Sequence, residues 1–136
     1  MKSITVPAET KYLEKVQGFV REELDARGCE EAITMQIELC IEEVFVNISS
    51  YAYNPEIGDA EIRCEVSGDP LEVTIQFLDG GVPFNPLAKP DADTSPEATM
   101  NRIGGLGIFL VKKMMDKVDY EYDEGKNVLT ISKKIQ

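Results

Sequence analysis

Glu43 and Asn47 stand four residues apart in Glu43-Val44-Phe45-Val46-Asn47, a spacing that puts a carboxylate and a carboxamide on one face of a helix. A carboxylate can take a proton, and an amide oxygen is a hard ligand for a divalent cation. The plainer alternative is an exposed Glu and an Asn satisfied by its neighbours, since charged residues usually line solvated faces. Asp79 offers a second carboxylate, followed at once by Gly80-Gly81. It shares the parity of Leu71, Val73, Ile75 and Phe77, so it is predicted to face the covered side of a strand. There something must donate hydrogen bonds to it, either a loop backbone or an amino group on a ligand. Gly81 would let the chain approach a flat ligand closely, or simply end the strand in a turn. Last, Gly104-Gly105-Leu106-Gly107 opens a helix, where bare N–H groups and the helix N-terminus suit an anion. That run fits neither GxGxxG nor GxxxxGK[ST], and glycines at a helix start also serve as turn chemistry.

Three helices and at least four strands must hold these groups. Leu13, Val16, Val20 and Leu24 recur at helical spacing and predict a first helix ending near Gly28. Ile33, Ile37, Cys40, Ile41, Val44 and Ile48 predict a second, which carries Glu43 and Asn47 and runs out before Asn54-Pro55. Ile62, Cys64 and Val66, then Leu71 to Phe77, alternate with polar residues on either side of Gly68-Asp69-Pro70, predicting two half-buried strands. Residues 80–104, rich in Gly, Pro, Asp, Asn and Thr, form a stretch of the length usually given to a functional loop or lid. A third helix follows from Gly105, with Ile108, Val111, Met114 and Met115 as its apolar face, and Asp123 to Asn127 read as the turn of a closing hairpin. Helices on one face of an alternating sheet give a two-layer α/β sandwich, its sheet mixed but mostly antiparallel.

Composition narrows the chemistry further. The 136 residues suit a single domain, 1–136, and include 14 basic against 25 acidic side chains, a formal charge of −11 that repels phosphate backbones and anionic lipids. Nucleic acid and membrane are therefore disfavoured partners. Histidine is absent, which excludes Ser-His-Asp and Cys-His nucleophiles and the H-E-x-x-H zinc site. Cys29, Cys40 and Cys64 are odd in number and lack a CxxC spacing, which fits reduced, buried thiols. Met1 to Val6 is soon followed by Glu9, Lys11, Glu14 and Lys15, so no apolar signal core forms; the cytoplasm is the expected compartment.

Taken in order, Glu43-Val44-Phe45-Val46-Asn47, Asp79-Gly80-Gly81-Val82-Pro83-Phe84 and Gly105-Leu106-Gly107-Ile108 resemble the N, G1 and G2 boxes of the GHKL ATPases. Within that superfamily the chain looks most like the small stand-alone anti-sigma-factor serine kinases, a resemblance that extends over roughly residues 2–135. It implies the superfamily's ATP-binding sandwich, with ATP and Mg²⁺ as cofactors. By the same resemblance Glu43 is the general base, Asn47 coordinates Mg²⁺, and Asp79 accepts from the adenine amino group. Gly81 is implied to admit adenine, Gly105, Leu106 and Gly107 to bind phosphate, Thr130 to support adenine through its hydroxyl, and residues 85–103 to form the ATP lid. A homodimer is implied too, with Ile4-Thr5-Val6 offering an edge strand, against the alternative that this strand pairs within its own chain. The protein partner implied is an anti-anti-sigma-like serine substrate and, in addition, a sigma factor. One departure stands out: Tyr51 occupies the place of the family's usual His after the N-box Asn, which puts kinase activity in doubt more than ATP binding. The rival reading is an ATP-binding module that sequesters proteins without phosphoryl transfer.

Overall fold

A computed structural model describes residues 1–51, 58–83, 85–88 and 105–135. Five strands, β1 (Lys2–Pro7), β2 (Asp59–Ser67), β3 (Glu72–Asp79), β4 (Lys117–Asp123) and β5 (Lys126–Lys134), make one sheet in the order β1-β2-β3-β5-β4. Every ladder among the described residues is antiparallel. The sheet is thus antiparallel between all paired neighbours where a mixed, mostly antiparallel one was expected; β3 and β4, both paired to β5, run parallel to each other without being neighbours.

Among the described residues three helices, α1 (Leu13–Ala26), α2 (Glu31–Tyr51) and α3 (Gly105–Met114), supply the second layer. Val16, Val20 and Leu24 of α1 and Ile37, Ile41, Val44 and Phe45 of α2 are fully buried against Ile62, Val73, Ile75, Phe77 and Ile131 of the sheet. At about 25 cal/mol per Å² of apolar surface removed from water, this continuous core is the main force holding helices to sheet. The opposite parity of β2 carries Glu61, Arg63 and Glu65, with Arg63 paired to Glu61 at 2.9 Å.

The predicted boundaries follow from local chemistry. Gly28, at φ 70°, takes the left-handed conformation that ends α1, its N–H donating to the Asp25 carbonyl. The closing hairpin turns on Glu124 and Gly125, both at positive φ, between paired Asp123 and Lys126. β1 pairs with β2 in its own chain and lies at the edge of the sheet. All three cysteines are free, and burial pushes the thiols of Cys40 and Cys64 up to about 11 and 12.

Candidate functional site

The site is built where α2, the end of β3, the start of β5 and the first turns of α3 meet. α2 is anchored to α1 by Arg21, which bonds Glu31 and Glu38, and by Gln17 Nε2 donating to the Glu38 carbonyl at 2.9 Å. α3 is fixed at its far end: Lys133 Nζ donates to the Met114 carbonyl at 2.9 Å, and Asp116 N–H to the Ser132 carbonyl at 2.9 Å. A cation on the last carbonyls of a helix complements its dipole, so Lys133 holds α3 with its N-terminal end directed at the site.

Between these elements lies a pocket enclosing about 470 Å³ of empty space, its open mouth included. Val44 and Ile48 of α2, Phe77 of β3, Ile108 of α3 and Leu129 of β5 give it apolar walls. Its polar groups among the described residues are Asn47, Asp79, Tyr120 and Asn127. Asn47 reaches it because it lies one turn along from Val44 and beside Ile48 on the same face. Asp79 reaches it because β3 keeps its alternation to the last residue, leaving the carboxylate only 6% exposed.

Burial of that carboxylate is compensated. Asp79 Oδ1 accepts from Gly81 N–H at 3.0 Å and from Asn127 Nδ2 at 2.9 Å. Asn127 stands directly opposite Asp79 in the β3–β5 ladder; its Nδ2 also donates to the Val82 carbonyl at 2.8 Å, and its Oδ1 accepts from the Tyr120 hydroxyl. Gly81 therefore serves Asp79 through its N–H.

Glu43 lies at the other end of the site. A Cβ built on Gly107 would stand 3.1 Å from Glu43 Cδ, with Oε2 closer still, so the carboxylate occupies the space that any larger residue at 107 would fill. Burial raises the Glu43 carboxyl above the usual glutamate value, and neighbouring Glu42 raises it further. The shift favours the protonated carboxyl, the direction expected of a group that takes up a proton.

Residues 6–133 match the histidine kinase-like ATPase domain family. The chain belongs to that family. Over 99 residues it is 34% identical to the serine-protein kinase RsbW of Listeria monocytogenes, a match spanning 68% of this chain and 61% of that protein. Over 130 residues it is 27% identical to the serine-protein kinase RsbW of Bacillus velezensis, covering 90% of this chain and 79% of that one. The chain thus spans about three-fifths of the length of the Listeria relatives it matches. The crystal structure of the RsbU and RsbW domains of Rv1364c from Mycobacterium tuberculosis shares the fold at a TM-score of 0.65 and 15% identity, over 99% of this chain and 33% of that one.

Membership implies ATP binding, and the pocket fits it: apolar walls suit a flat base, and a buried acceptor suits an exocyclic amino group. The donor set also fits Mg²⁺. The Asn47 amide oxygen is a hard ligand of the kind Mg²⁺ takes together with phosphate and water oxygens; among the described residues no cluster of three or more Cys, Asp or Glu side chains able to hold a metal is present. No helix among the described residues is long and apolar enough to cross a membrane.

The structure brings Asn47 and Asp79 to one pocket and sets Gly105 and Gly107 in the first turn of α3. Gly104, Phe84 and residues 89–103 of the expected lid lie outside the described residues; Asn85 to Ala88 begin it with a short 3-10 turn, Leu87 N–H donating to Asn85 Oδ1 at 2.8 Å. Thr130 needs correction as a site residue. It sits between core-facing Leu129 and Ile131, so its side chain projects from the other face of the sheet, where Oγ1 accepts from Gln76 at 3.5 Å. Leu129, its neighbour on β5, lines the pocket instead. Asn127 and Tyr120 went unpredicted, although both have the parity that faces the helices.

Proposed function

We propose that this protein is a cytoplasmic, ATP- and Mg²⁺-dependent regulatory kinase that phosphorylates a serine on an anti-anti-sigma-like protein and binds partners, a sigma factor among them, according to its nucleotide state. The observation carrying this reading is the arrangement of three groups: a buried acceptor at Asp79, an amide at Asn47 beside the same pocket, and the Glu43 carboxylate against the first turn of α3. The family match and the serine-protein kinase relatives support the same class of activity.

In this reading Asp79 accepts a hydrogen bond from the adenine amino group while Val44, Ile48, Phe77 and Leu129 exclude water from the base. The N–H groups at the start of α3, from Gly105 to Gly107, face the phosphates, where the helix dipole offsets part of the repulsion from a chain of charge −11. Bound Mg²⁺ would neutralise phosphate charge, with Asn47 as its protein ligand. Glu43 then accepts the proton of the partner's serine hydroxyl. The hydroxyl oxygen bonds to the γ-phosphorus, the bond to the β–γ bridging oxygen breaks, and ADP departs with that electron pair.

Incubating the protein with γ-labelled ATP and an anti-anti-sigma-like substrate tests this. Label on a partner serine, lost in Glu43→Gln while ATP still binds, is the expected result. Tyr51, in the place of the family's usual His, favours a second reading in which the domain binds ATP and sequesters partners without transfer. ATP-dependent co-elution of the partner with no label, for wild type as for Glu43→Gln, would select that reading.

A further inference from the structure

The network behind Asp79 has a polarity that bears on ligand choice. Asn127 uses both hydrogens of Nδ2, one toward Asp79 Oδ1 at 2.9 Å and one toward the Val82 carbonyl at 2.8 Å, and its Oδ1 takes the Tyr120 hydroxyl. A flipped amide would set its oxygen against two acceptors, so only one orientation satisfies the network. At 7% exposure Asn127 has little access to water as a substitute partner. Asp79 Oδ1 thus faces two fixed donors, Asn127 Nδ2 and Gly81 N–H, and its plane is set by the protein rather than by a ligand. We infer that Asn127, oriented by Tyr120, is a positioning residue that fixes the polarity of the base pocket and thereby selects a purine bearing a 6-amino group over one bearing a 6-oxo group.

The inference rests on the nucleotide reading above and adds a residue and a rule to it. With Asp79 in place, Oδ1 is committed to those two donors, and on this inference Oδ2 is the oxygen that accepts from the ligand. If residue 79 becomes asparagine, the same two donors demand its oxygen, which leaves its NH₂ group as the atom presented to the ligand. The pocket should then prefer a 6-oxo purine, because the lock has exchanged an acceptor for a donor at one point without changing shape. A bond left unmade at a buried polar group is worth about 5- to 150-fold in affinity.

Calorimetric titration with ATP and with inosine triphosphate, which differ at position 6, reads this directly. Wild type is expected to favour ATP by at least about fivefold. Asp79→Asn is expected to reverse the preference, and Asn127→Ala to narrow the wild-type ratio, because Gly81 N–H alone then orients the carboxylate. Thermal unfolding of each variant separates loss of fold from loss of selectivity, and Asp79→Asn carries the test if Asn127→Ala does not fold. An Asn127→Ala protein that folds and keeps the wild-type ratio, or an Asp79→Asn protein that still prefers ATP, would overturn the inference and leave the ATP reading standing. A wild type that binds neither nucleotide would overturn both.

Discussion

Replacing Gly107 by alanine should separate stability from catalysis in an unusual direction. An added Cβ would lie 3.1 Å from Glu43 Cδ and 3.5 Å from Glu43 Cβ, with Oε2 nearer than either. Carbon atoms rest about 3.5–4.0 Å apart, so Cδ must retreat by roughly 0.4 Å or more and Oε2 by a larger amount. The obstructing atoms are the far end of a flexible side chain, so Glu43 can rotate without moving backbone, at about 0.5–1.5 kcal/mol if it leaves its rotamer. Alanine in place of glycine within a helix returns about 0.5–1 kcal/mol, and the two nearly cancel. Thermal unfolding should therefore show a midpoint within a few degrees of wild type. ATP affinity should hold within about threefold, since the alanine N–H remains available to phosphate. Phosphoryl transfer to the partner serine should instead fall about 100-fold, the scale on which displacing a catalytic group by about 1 Å is felt. A double-mutant cycle with Glu43→Ala locates the cause: in that background Gly107→Ala should cost less than about twofold. Equal losses in both backgrounds would refute the steric reasoning, as would a midpoint lowered by ten degrees or more, which would mean the helix had moved and not the side chain.

Asn47→Ala should lose most of the Mg²⁺ dependence of ATP binding, measured by calorimetry with and without the ion; equal Mg²⁺ dependence in mutant and wild type would remove Asn47 from the metal site. Because burial raises the Glu43 carboxyl, transfer should be lost on acidification at a pH above the ordinary glutamate range of about 4.3, and Glu43→Gln should abolish that limb of the pH–rate profile. The same shift has a sign for folding: ionising Glu43 opposes the folded state, so its stabilising contribution is present below the unfolded pKa and lost as pH rises through the raised folded one. Light scattering at micromolar concentration should report about twice 15.1 kDa if the outer edge of β1 pairs between subunits, and a monomer would show that β1 is satisfied by β2 alone.

Much of the site was legible because alternation along a strand is a local rule. Val73, Ile75 and Phe77 set the parity of β3, and Asp79 inherits it at the strand's last residue, which is why its burial could be anticipated. The same rule applied to β5 would have found Asn127, since Leu129 and Ile131 are core residues of matching parity. It was missed because Asp123 to Asn127 reads as one polar turn, whereas the turn itself needs only Glu124 and Gly125 and the strand already begins at Lys126. Thr130 fails by that rule too: a residue between two core residues of one strand must point the other way. The contact of Glu43 with Gly107 is of another kind. It depends on how closely α2 approaches α3, and that distance is set by side chains meeting across the layer, such as Cys40 Sγ and Met114 Sδ at 3.9 Å. A glycine in the first turn of α3 is compatible with a turn, a phosphate or a neighbouring carboxylate. Spacing within one helix cannot choose among these, because the atom that decides belongs to another helix.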